Sequence, residues 1–191
     1  MTYLGYLVFC YILGWAMTGY FVVRLLTHKD IRLQGSGNIG ALNSGRVTGV
    51  KGFILTFLGD SLKGGIAVVS GIMLMFPEWV LILGLISVVA GHIWPLPFRF
   101  QGGKGAATFL GGLLAYDYSN LLFLIIVTGI FYLLLREFTV SGLVAVSLWP
   151  LFKLFQGTSW NLLFFQLVLI LIILWAHRVN LIQYYKKHLV L

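Results

Sequence analysis

Two uninterrupted apolar runs, 121–135 and 162–175, constrain this chain more than any other feature. Each is long enough to approach the hydrocarbon thickness of a bilayer, and neither contains a charge. Lipid offers backbone groups no water, so a chain crosses it as a helix or as a closed barrel. A barrel strand alternates apolar and polar residues with period two, whereas these runs are continuous. The composition agrees: 60% of the 191 residues are hydrophobic and 9% are charged. A soluble surface needs about a quarter of its residues charged. The fold class is all-α, a polytopic transmembrane helix bundle.

Seven helices are expected, over 3–26, 52–76, 79–96, 105–116, 120–136, 140–156 and 160–183, in one integral membrane domain spanning 1–191. No basic residue precedes Arg24, so the first segment reads as a retained span rather than a cleaved signal. The single Cys10 rules out an intrachain disulfide. Helix 105–116 would reach roughly 18 Å, short of a core near 30 Å. Its Ala107/Gly111 and Thr108/Gly112 spacings allow close packing within the bundle.

Orientation follows from Lys and Arg. With the N-terminus outside and the C-terminus cytoplasmic, 11 of the 13 basic residues fall on the inner side, leaving Lys63 within a helix and Lys153 toward the outside. The net charge of +8 is then an orientation signal, and no nucleic-acid partner is implied.

Two glycine-rich stretches lie on that inner side. The loop 27–51 contains Gly35-Ser-Gly-Asn-Ile-Gly-Ala-Leu-Asn-Ser-Gly-Arg46. Its G-x-G-x-x-G spacing lacks the strand and βαβ unit of a dinucleotide site, and what remains is a backbone nest for an anion, closed by Arg46. The second stretch, Gln101-Gly-Gly-Lys-Gly-Ala-Ala-Thr108, opens a helix. Open amides at Gly102, Gly103 and Gly105, with the Lys104 cation, make a phosphate site at a helix N-terminus. Asp60 and Lys63 share one face of a spanning helix and are expected to form an internal ion pair that braces the site. His177 and Asn180 end the last helix on one face, and Ser141 begins another from the same side. His92, His177 and Cys10 have no metal-ligand company, so no metal is expected.

These residues resemble the bacterial acyl-phosphate:glycerol-3-phosphate acyltransferase family. The resemblance runs the whole chain, through G-S-G-N-I-G-A-L-N-S-G-R at 35–46, Q-G-G-K-G-A-A-T at 101–108 and H-R-V-N at 177–180, with Asp60-Ser-Leu-Lys63-Gly64 in the second helix. It departs at Leu42, where Thr is usual, at Gln101, where Lys is usual, and in lacking an acidic residue after the third motif. The resemblance implies acyl transfer from an acyl phosphate to the 1-hydroxyl of glycerol 3-phosphate, the first acylation of phospholipid synthesis, at the cytoplasmic face of a bacterial inner membrane. It places glycerol 3-phosphate on Gly102, Gly103, Lys104 and Gly105. Ser36, Gly37, Asn38, Gly40, Ala41, Asn43 and Arg46 are then expected around the donor phosphate. Ser141 and Asn180 complete the substrate-binding set, and Lys104, Arg46 and His177 are the catalytic candidates. The substrates and membrane lipid are the expected partners; no cofactor and no obligate protein partner is implied. No Ser-His-Asp set is visible, so direct transfer without an acyl-enzyme is expected. The rival reading is a phosphate or organophosphate transporter, which would need a second anion site on the outer face.

Overall fold

The computed structural model describes residues 1–188, and residues 189–191, which the expected domain 1–191 includes, lie outside them. Among the described residues the regular structure is helical throughout: α1 Tyr3–Gly14, α2 Thr18–Thr27, α3 Ala41–Met73, α4 Glu78–Ile93, α5 Ala106–Tyr116, α6 Tyr118–Leu135, α7 Phe138–Phe155, α8 Trp160–Ala176 and α9 Arg178–His188, with short 3-10 turns at Ile31–Leu33 and Leu96–Phe98. Five segments are long and apolar enough to cross a membrane, and the bent pair α8–α9 makes a sixth if it counts as one span. The chain gathers into two compact units, Met1–Tyr116 and Asp117–Leu191.

In the first unit α1 packs on α4 and α3 on α5. Small residues make both crossings possible. A Cβ on Gly14 would strike the Val88 carbonyl and the Gly91 backbone, and one on Gly64 would strike the Thr108 carbonyl. At the end carrying the glycine loops, Met17, Val23, Ile31 and Ile39 form a closed apolar core with Tyr20, Val47 and Phe98 against it. In the second unit α7 packs on α6 and α8. The buried Trp149 indole donates to Asn120 Oδ1 at 2.9 Å.

Three boundaries differ from the sequence expectation, each for a physical reason. The first span, expected as one helix over 3–26, breaks between Gly14 and Thr18. There the carbonyls of Gly14 and Ala16 leave the helical ladder and accept from Lys63 Nζ at 3.1 and 2.7 Å. The second helix, expected from 52, begins at Ala41, because Gly40 serves as its N-cap and a side-chain latch described below fixes its first turn. Gly49 kinks it at φ 74°. At 33 residues α3 would measure about 50 Å, so it extends beyond a hydrocarbon core of about 30 Å. The last helix, expected over 160–183, bends by 62° at His177 into α9. The Ile173 carbonyl there accepts from both the backbone N–H of His177, at 3.1 Å, and its ring Nδ1, at 2.9 Å, and this local competition closes the helix.

Candidate active site

The first glycine loop is folded by one side chain. Asn43, 1% exposed in the first turn of α3, accepts from the Ser36 N–H through Oδ1 at 2.8 Å. Its Nδ2 donates to the carbonyls of Gln34 and Asn38, each at 2.9 Å. Both of its protons are thereby used. Asn43, expected among the substrate-binding residues, uses its amide to shape the loop. Gly35 and Gly37 turn the chain at φ 56° and 72°, the left-handed region that glycine enters without strain. Ser36 is exposed at the crest, and the Asn38 side chain lies across Gly40 at the start of α3. Ala41 and Leu42 carry the first N–H groups of that helix, and the exposed Arg46 follows one turn later.

The second loop is folded by backbone groups instead. α4 ends at Ile93, and the chain turns back so that Gly102 N–H donates to the Ile93 carbonyl at 3.2 Å and Gly103 N–H to the His92 carbonyl at 3.1 Å. The amides expected to be open at these two glycines are instead engaged by backbone carbonyls. Their role is steric: a Cβ on Gly102 would strike the carbonyls of His92 and Ile93, and one on Gly103 the His92 ring. Gly105, at φ 79°, turns the chain into α5. The orphan amides of the first turn of α5, from Ala106 onward, supply the helix-terminus donors.

Lys104 stands just before α5, and Arg46 in the second turn of α3. Partial burial lowers the Lys104 ammonium from its ordinary value, and the Arg46 guanidinium lowers it further.

Below the second loop lies a buried ionic cluster. Lys63 Nζ stands 3.0 Å from Asp60 Oδ1, and both side chains are 3% exposed or less. The same ammonium reaches His92 Nδ1 at 2.7 Å. An ammonium has no acceptor lone pair, so Nδ1 accepts and the neutral ring carries its proton on Nε2, the edge beneath Gly103. Sequence reading had set His92 aside. The signal that pointed to it was its place at an apolar helix end, ten residues before the second glycine pair.

In the second unit, His177 is the C-cap of α8 and 6% exposed. Its Nδ1 lies 2.9 Å from the Ile173 carbonyl and must donate to it, which makes Nε2 the acceptor nitrogen of the neutral ring. Asn180 sits in the first turn of α9, its N–H on the His177 carbonyl at 2.9 Å, rather than on one continuous helix face with His177 as expected. The buried Ser141 hydroxyl donates to the Glu137 carbonyl at 2.7 Å. Glu137 also pairs with Lys187 at 3.5 Å, so the basic tail has an acidic partner outside the third motif. Arg178 turns away and stacks on Trp175, 4.0 Å from the ring centre.

The geometry can be set beside known proteins. Residues 4–187 match the family described as glycerol-3-phosphate acyltransferase. Glycerol-3-phosphate acyltransferase 1 of Bacillus thuringiensis subsp. konkukian (strain 97-27) is 42% identical over 173 residues, covering 91% of this chain and 95% of its own. The corresponding protein of Desulfitobacterium hafniense (strain Y51) is 42% identical over 180 residues, 93% of this chain and 88% of its own. Two crystal structures of PlsY (YgiH), an integral membrane glycerol 3-phosphate acyltransferase, are also similar. Its glycerol 3-phosphate form matches with a TM-score of 0.89 and its lysophosphatidic acid form with 0.87, at 33% and 32% identity, each covering 97% of this chain and 92% of that one. With its spanning helices and its match along nearly the whole length, the chain belongs to the glycerol-3-phosphate acyltransferase family, as an integral membrane acyltransferase of lipid biosynthesis.

Proposed function

We propose that the protein transfers an acyl group from an acyl phosphate to the 1-hydroxyl of glycerol 3-phosphate, releasing inorganic phosphate and 1-acyl-glycerol-3-phosphate. The observation that carries this reading is that two glycine-rich segments each lead into a helix N-terminus, of α3 and of α5, with a cation close to each, Arg46 and Lys104. Two phosphorylated substrates call for two such cradles, and crystal structures of a similar protein were obtained with glycerol 3-phosphate and with lysophosphatidic acid. The loop around Ser36, Gly37, Asn38, Gly40 and Ala41, with Arg46, takes the donor phosphate. Lys104, Gly105 and the first amides of α5 take glycerol 3-phosphate.

Transfer is direct. The glycerol 3-phosphate hydroxyl oxygen bonds to the acyl carbon while the bond from that carbon to the phosphate oxygen breaks. The departing phosphate takes the hydroxyl proton, and Lys104 and Arg46 offset the charge that develops on it. Holding the two substrates side by side supplies most of the acceleration. His177 and Asn180 are substrate-binding groups in this reading; the Ile173 carbonyl sets the tautomer of the ring, presenting Nε2 as an acceptor. In this reading the loops face the cytoplasm of a bacterial inner membrane, with the N-terminus outside, a placement that the distribution of Lys and Arg supports.

Purified protein mixed with acyl phosphate and glycerol 3-phosphate should yield the 1-acyl product and one phosphate per acyl group. Failure to form product, or an acyl group trapped on the protein after rapid quenching, would refute the reading.

A further inference from the structure

We propose that His92 is the positioning residue of the second glycine loop, relaying the fixed point made by Lys63 to the backbone that carries Lys104. This rests on the reading that the 101–105 loop holds glycerol 3-phosphate.

Two contacts of His92 and one of its neighbour seat the loop. Its carbonyl takes the Gly103 N–H, the neighbouring Ile93 carbonyl takes the Gly102 N–H, and its ring fills the space beneath Gly103 so closely that a Cβ there would strike Nε2. The ring cannot drift, because Nδ1 is held at 2.7 Å by an ammonium that is itself held on all sides. Lys63 Nζ also reaches Asp60 Oδ1 and the carbonyls of Gly14 and Ala16, all within 3.1 Å. Those carbonyls belong to the break in the first span, so the anchor reaches back into α2 as well. Gly59 of α3 lies against Thr18, and Gly19 against the Ile39 carbonyl just before the N-terminus of α3. One buried ammonium is thus the common reference for both loops, and His92 is its branch to the second. A helix end without this branch would still form, but Lys104 would sit on a loop free to shift, and a binding group displaced by an ångström loses most of its worth.

Two substitutions separate the relay from general support of the ion pair. His92→Asn keeps an oxygen near the position of Nδ1 for Lys63 but empties the space beneath Gly103. His92→Gln leaves Lys63 its other three partners and restores a polar group near the position of Nε2. Steady-state kinetics on both purified variants, with thermal midpoints recorded alongside, should show His92→Asn raising the KM for glycerol 3-phosphate roughly tenfold or more, the scale of a displaced binding group. The KM for acyl phosphate should stay at the wild-type value, and His92→Gln, which refills the space but gives up the bond to Lys63, should raise the glycerol 3-phosphate KM as well. Unchanged glycerol 3-phosphate KM in His92→Asn overturns the proposal. So does a parallel rise in both KM values, which marks general loosening, or a His92→Gln variant with the wild-type glycerol 3-phosphate KM, which marks filled space without the bond to Lys63. Lys104→Ala, run in parallel, tells the two levels apart. If it raises the glycerol 3-phosphate KM while His92→Asn does not, the relay fails and the loop assignment stands. If Lys104→Ala leaves that KM unchanged, the loop assignment fails and the relay with it.

Discussion

The two glycine loops do similar work by opposite means. The first is folded locally: the Asn43 amide bonds to backbone groups seven, nine and five residues before it, at Ser36, Gln34 and Asn38. The second takes its shape from the end of α4 and the Asp60–Lys63–His92 cluster beneath. A locally latched loop fails piecemeal when one bond is removed. A loop seated on a rigid floor tolerates no added atom. Each of the following measurements tests that contrast, beginning with the largest effect.

Gly102→Ala adds a methyl where two backbone carbonyls already stand, so the loop must move as a body. The KM for glycerol 3-phosphate should rise about 100-fold, the scale of an ångström-sized displacement. In the first loop, a Cβ on Gly37 meets only the Arg32 carbonyl at 3.1 Å, and the penalty is about 1–2 kcal/mol for a left-handed alanine. Gly37→Ala should therefore cost about tenfold, in the acyl phosphate KM, and kinetics on the pair would break the comparison if the ranking reversed.

Asn43→Asp keeps the acceptor for the Ser36 N–H but removes both donors, leaving the Gln34 and Asn38 carbonyls facing a carboxylate. An unsatisfied buried group costs about 1–3 kcal/mol. Denaturation should show that loss, and the acyl phosphate KM should rise while that for glycerol 3-phosphate holds. If the glycerol 3-phosphate KM rises equally, the loops are not independently folded.

The coupling between the loops is visible in pH. Anion binding at Lys104 needs the ammonium, which is lost as pH rises through its folded pKa. Burial, then Arg46, lowers that pKa, so the glycerol 3-phosphate KM should begin to rise on the alkaline side below the ordinary lysine value of about 10.4. Arg46→Ala removes a like charge and should move this limb to higher pH, and Lys104→Arg should abolish it. A limb unmoved by Arg46→Ala would mean that the two cations act separately. The smallest effect belongs to Lys187→Ala. Its pair with Glu137 is 65% and 41% exposed, and such pairs are worth about 0.5 kcal/mol. Activity should be unchanged; a measurable loss would give the tail a role in the site.

What could be read from the residues was whatever depends on near neighbours. The apolar runs announced the spanning helices, the small residues announced their close crossings, and Asp60 with Lys63 announced a pair one helical turn apart. What depends on distant partners was hidden. The break after Gly14 requires an ammonium 49 residues later. The helical start at Ala41 was masked by a glycine-rich composition that reads as loop. The occupied amides of Gly102 and Gly103 find their acceptors across a turn whose geometry no motif states. The bend at His177 rests on a side-chain bond that a continuous apolar run conceals.

The Lys63 cluster also orders the assembly of the protein in time. A lysine near the middle of a span costs about 2.5–3.5 kcal/mol to place in lipid when it has no partner. Chain order supplies its partners in sequence: the Gly14 and Ala16 carbonyls are already made when α3 arrives, and Asp60 comes with it. The ammonium therefore enters a bilayer in which three of its four acceptors are present. His92 follows with α4, and the glycine pair cannot take its seat until that ring is in place. The second loop is thus seated only after α4 is made, and a ribosome stalled before α4 would leave behind a chain already embedded but without the floor of that loop.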